Sequence, residues 1–100
     1  MAKRLPPVHP GEILREDVLS PLDMSVNQLA KALAIDTARL NEIVRGRRGV
    51  TADTALRLAR YLGTTAEFWM NVQMRYELEI ARQAKQKEIE RSIQPRTEAA

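Results

Sequence analysis

The side chains best suited to chemistry lie between positions 37 and 48: Thr37, Ala38, Arg39, Asn41 and Glu42, then Arg45, Arg47 and Arg48. They are residue types that read base edges. Arg39 can pair with guanine and Asn41 with adenine, Glu42 can accept from cytosine, and Thr37 or Ala38 can touch a thymine methyl. The four arginines fall within ten positions, a focused positive field of the kind that attracts phosphate. This is binding chemistry, and the residues needed for catalysis are missing. Ser20, Ser25 and Ser92 sit where helices should start or stop, and the acidic residues fall on faces expected to be solvated. The four glycines never take the spacing of a phosphate-cradling loop. With no cysteine and one histidine, neither a thiolate nor a multi-histidine metal site is available. The expectation is a non-enzymatic chain without metal or cofactor, in which His9, before Pro10, packs or caps a helix start.

To face a groove together, these side chains must share one side of a helix. Helical periodicity runs through most of the sequence and no stretch alternates as a half-buried strand does, so the fold expected is all-α. A first helix opens at Gly11 and ends at Pro21, with Glu12, Glu16 and Asp17 in its first turns. A second, capped by Ser25, places Val26, Leu29, Ala30 and Leu33 in one stripe. After Ala34-Ile35-Asp36 a third helix follows, with Asp36 able to cap it, Leu40, Ile43 and Val44 as its buried stripe, and Gly46 as its stop. At 100° per residue, Ala38, Glu42 and Arg45 then lie opposite that stripe, with Thr37, Asn41 and Arg39 on the flanks. Thr51 caps a fourth helix that carries Ala55, Leu58, Ala59 and Leu62 and closes at Gly63. A fifth starts from the capping-box spacing of Thr64 and Glu67, with Thr65 a competing cap. After Arg82 apolar residues thin out, so the expected division is a domain over 1–82 and a charged tail over 83–100, helical for some turns, then frayed.

Two short amphipathic helices joined by a tight turn form a helix-turn-helix, here over 25–46. The third helix would enter a major groove ~12 Å wide, and the N-terminus of the second would meet the backbone. Phosphate contacts are therefore expected from Ser25, Asn27, Lys31, Arg45, Arg47 and Arg48. Charge follows the same division: the net charge is +3, yet residues 25–60 carry seven basic and three acidic side chains while 1–24 and 61–81 are net negative. One such module makes few base contacts, so a homodimer is expected. Trp69, Val72, Gln73, Tyr76 and Ile80 run in a strip along the fifth helix as its interface, with Phe68 assigned to the core.

The run over residues 9–73, with HPGEIL at its start and TTAEFWMNVQ at its end, resembles the HigA-type antitoxins, a branch of the Xre/phage-repressor helix-turn-helix family. That resemblance implies a five-helix Xre-type domain that dimerises, binds double-stranded operator DNA, represses its own operon and neutralises an RNA-cleaving toxin of the HigB type. A helix-turn-helix regulator without a toxin is the alternative. The acidic first helix with residues 3–10, or the tail with Ile89 and Ile93, would be the surface for a basic partner. No apolar run approaches the ~18–20 residues that span a bilayer, so no membrane association and a cytoplasmic location are expected.

Overall fold

The computed structural model describes residues 6–97. Residues 1–5 and 98–100, and with them part of the N-terminal segment assigned to a partner and the end of the tail, lie outside the described residues. Five helical runs follow one another, with no strand among the described residues. The first, α1, is composite: Pro10–Ile13, a π-helical stretch Leu14–Leu19, then Ser20–Leu22. Next come α2 (Val26–Leu33), α3 (Thr37–Val44), α4 (Ala52–Leu62) and α5 (Ala66–Ser92). The all-α, five-helix expectation holds, and among the described residues no helix is long and apolar enough to cross a membrane.

Local signals set most boundaries. Ser25 and Gln28 form a reciprocal capping box: Gln28 N donates to Ser25 Oγ (3.1 Å) and Ser25 N to Gln28 Oε1 (2.9 Å). Thr51 caps α4, and Gly63 closes it at φ 76°. At α5 the competing cap prevails: Phe68 N donates to Thr65 Oγ1 (3.0 Å), while Thr64 Oγ1 accepts the Trp69 indole N–H (2.8 Å). Asp36 precedes α3 without a side-chain cap bond.

Helix α5 runs through position 83 to Ser92, because Ala, Gln, Lys, Glu and Arg favour helix without a core to face, and Gln86 donates to Glu90 one turn on (2.8 Å). Two features depart from expectation. Helix α1 starts at Pro10, capped by His9, and passes through Pro21. Proline has no N–H to give, and the wider register of Leu14–Leu19 accommodates it where an unbroken α-helix would end. The second departure is the aromatic pair. Trp69 is 1% exposed, among the core residues Leu14, Leu29, Leu40, Ile43 and Leu58, whereas Phe68 is 42% exposed. Neighbours on a helix differ by 100°, so only one of the two can face the core, and the larger indole fills the interior with its N–H satisfied by Thr64.

Candidate nucleic-acid interface

Helices α2 and α3 meet through Leu29, Ala30 and Leu33 on one side and Leu40, Ile43 and Val44 on the other, all buried. Polar bonds then fix their relative orientation. Thr37 Oγ1 donates to Asn27 Oδ1 (2.9 Å), tying the start of α3 to α2. The Arg57 guanidinium donates to the carbonyls of Leu33 (2.9 Å) and Ala34 (3.1 Å), capping the C-terminus of α2. Arg15 does the same for α3 through the Val44 carbonyl (3.0 Å). Cations at helix C-termini complement both the dipole and the free carbonyls. Between these helices Ala34 takes the left-handed conformation at φ 57°.

On the outer side of α3, Thr37 and Ala38 are exposed, and Asn41 and Glu42 are half-buried. At 100° per residue Thr37, Ala38, Asn41 and Arg45 share one side, and among the described residues no side-chain hydrogen bond or ion pair ties the last three to another element. Arg39 is different. Its guanidinium turns toward α4, donating to Thr54 Oγ1 (2.7 Å) and Thr51 Oγ1 (3.2 Å) and lying 3.7 Å from the Asp53 carboxylate. Thr54 is fully buried, and a buried hydroxyl needs a partner; Arg39 therefore ties α3 to α4 through its Nη2.

The expected phosphate-binding residues surround this side. Ser25, Lys31, Arg45, Arg47 and Arg48 are exposed, and Asn27, with Oδ1 engaged by Thr37, keeps its amide N–H groups as donors. Glu42 stands 3.7 Å from Arg47, so a carboxylate both holds one anchor and repels phosphate. Glu42→Gln should strengthen binding to random DNA by about twofold to fivefold at low salt, in line with the worth of an exposed pair, and the gain should vanish at high salt. Anisotropy titrations of a scrambled duplex at two salt concentrations check it.

The loop that carries Arg47 and Arg48 is pinned at both ends. Gly46 takes φ +77° beside the His9 ring, and a Cβ on Gly49 would meet the Gln73 amide. Val50 N donates to Gln73 Oε1 (2.7 Å) in the interior, and Gln73 Nε2 donates to Glu77 (2.8 Å). Gln73 and Trp69, both expected at a dimer interface, are therefore corrected to the protomer's own interior, where neither offers surface to a second chain. Val72 and Tyr76 are half-buried and Ile80 is exposed. Val72 and Tyr76 line an open groove of about 510 Å³ together with Pro6, Val8 and Phe68.

His9 joins three elements. Nδ1 accepts from Gly11 N (2.8 Å), the ring meets the Tyr76 ring edge-on with centroids 4.8 Å apart, and a hydrogen bond links it to the main chain of Arg48. Burial lowers its pKa below the ordinary value, and the Arg48 bond opposes the shift in part. The fold thus favours the neutral ring. Its contribution is complete above the unfolded value near pH 6.5 and is lost as pH falls through the lower folded value. Between pH 7 and 5 the wild-type melting temperature should fall more than that of His9→Asn, which keeps a capping oxygen and does not titrate.

Comparison with known proteins agrees with this geometry. The helix-turn-helix family model matches residues 14–69. The chain is 56% identical over 82 residues to virulence-associated protein I of Dichelobacter nodosus, covering 82% of this chain and 76% of that one. It is similar to the structure of an addiction module antidote protein of the HigA family from Coxiella burnetii, with a TM-score of 0.86 and 50% identity over 91% of this chain and 99% of that one. It is also similar to the Pseudomonas aeruginosa antitoxin HigA solved with the higBA promoter, with a TM-score of 0.87 and 49% identity over 90% and 98% of the two chains.

Proposed function

Because the chain belongs to the Xre-type helix-turn-helix family, among the HigA-like proteins, we propose that it is a homodimeric repressor of its own operon and the antitoxin of an RNA-cleaving toxin of the HigB type. The observation that carries the DNA-binding part is the open side of α3. Thr37, Ala38, Asn41 and Arg45 face outward from a helix whose two ends are fixed by Thr37–Asn27 and Arg15–Val44 bonds, with Arg47 and Arg48 exposed beside it. Rigid presentation of short polar side chains beside phosphate anchors is what base readout in the major groove requires.

Dimerisation through Val72, Tyr76 and Ile80 would present two such helices to half-sites ~34–36 Å apart. The antitoxin part draws on the likeness to the HigA proteins; a repressor without a toxin shares every other feature. A gel shift on the DNA upstream of the chain's own gene, with and without the product of the adjacent reading frame, tests both parts. The proposal expects a specific shift that the second protein joins or alters. Equal affinity for upstream and scrambled DNA would refute the repressor, and a second protein that neither binds nor alters the shift would leave a repressor alone.

A further inference from the structure

A second groove, separate from the Val72/Tyr76/Ile80 strip, opens between α1 and the α4–α5 junction. It encloses about 340 Å³ and is lined by Ile13, Val18, Pro21, Leu22, Leu62 and Phe68, with Asp17 at its edge. Leu22 is 55% exposed and Phe68 stands as the ridge between the two grooves. Neither DNA contact nor the interior uses Leu22. The π-helical stretch of α1 lies in this wall, and such stretches recur where a helix re-aims side chains for function.

The charge of α1 indicates what the groove receives. Glu12, Glu16, Asp17 and Asp23 are all exposed, and the helix's one basic residue, Arg15, is engaged by the Val44 carbonyl and Glu16. Nucleic acid and anionic lipid are repelled by such a face. A second copy in a twofold contact would set Asp17 near Asp17, like charges without a cation between them. A basic protein that inserts an apolar side chain beside lysines or arginines meets both features, because opposite potentials steer encounter and the buried apolar anchor sets residence time.

We propose that this groove docks a basic protein partner, which on the antitoxin reading above is the toxin, leaving the α3 face free for DNA. The test is calorimetric titration of the purified, net-basic product of the adjacent reading frame into wild type, Leu22→Arg and Asp17→Lys, with operator binding and elution volume measured in parallel. Both replaced side chains are exposed, so folding should persist. Leu22→Arg should weaken the complex at least tenfold, and Asp17→Lys should weaken it severalfold with a reduced salt dependence, operator affinity and elution volume being unchanged. Tight binding of Leu22→Arg, within twofold of wild type, overturns the groove while sparing the antitoxin reading. A shift of Leu22→Arg from dimer to monomer overturns it in favour of a second copy. If wild type forms no complex, the antitoxin reading fails and this assignment with it.

Discussion

Gly11→Ala is expected to destabilise the domain by about 2–3 kcal/mol, although alanine is the better helix former by ~1 kcal/mol at a free site. Gly11 is buried in the first turn of α1. A Cβ there would fall inside the contact distance of the Ile43 carbonyl oxygen and 3.0 Å from the Val44 oxygen. Both obstacles are main-chain atoms at the end of α3, which no rotamer change can move. The substitution must therefore part α1 from α3, and with them the Arg15 bond that caps the reading helix. For a domain near 100 residues, each kcal/mol shifts the melting temperature by roughly 4–8 °C, so a fall of about 10 °C or more is expected by thermal melting. An unchanged or higher midpoint would mean that the helices are not in contact as described.

Replacing Arg45, Arg47 and Arg48 together by alanine should abolish useful DNA affinity for every sequence alike. Each lost phosphate contact removes about 0.9 from the slope of log affinity against log salt, and a dimer loses six such side chains, so the slope should fall by roughly 5. At 0.1 M salt this corresponds to a loss of at least about a hundredfold. All three side chains are exposed, and none belongs to the core, so the melting temperature should scarcely change. Anisotropy with specific and scrambled duplexes over a salt series reads both quantities; a loss confined to the specific duplex would make these arginines readers instead of anchors.

What could be read in advance was the part of the fold that short-range chemistry decides. Ser25 with Gln28, Thr51 with Thr54 and Gly63 after Leu62 all act within four residues, and the apolar stripes of α2, α3 and α4 carry their own period. The open side of α3 followed from the same wheel. The rest is tertiary. Arg39, Arg15 and Arg57 look alike in a charge count, but their partners lie 15, 29 and 24 residues away, and only the folded arrangement turns them inward. Gln73 reaches back 23 residues to Val50 and so left the expected interface for the loop that holds Arg47 and Arg48. Phe68 and Trp69 exchanged places because the side of α5 that meets the core is set by packing against the other helices, which the wheel of α5 alone does not contain. Pro21 did not stop α1, since the π-helical register absorbed it.

The central claim is that Thr37, Ala38 and Asn41 on the open side of α3 read sequence while the surrounding cations, Arg45 among them, only anchor. The most direct measurement is the ratio of affinities for the chain's own upstream DNA and a scrambled duplex at fixed salt, for wild type and Asn41→Ala. Wild type should prefer its own site by roughly 10³ or more. Asn41→Ala should lower that preference by about 1–3 kcal/mol per half-site while leaving affinity for the scrambled duplex and the salt slope unchanged. A preference that survives the substitution intact, or one that wild type never shows, would contradict the account.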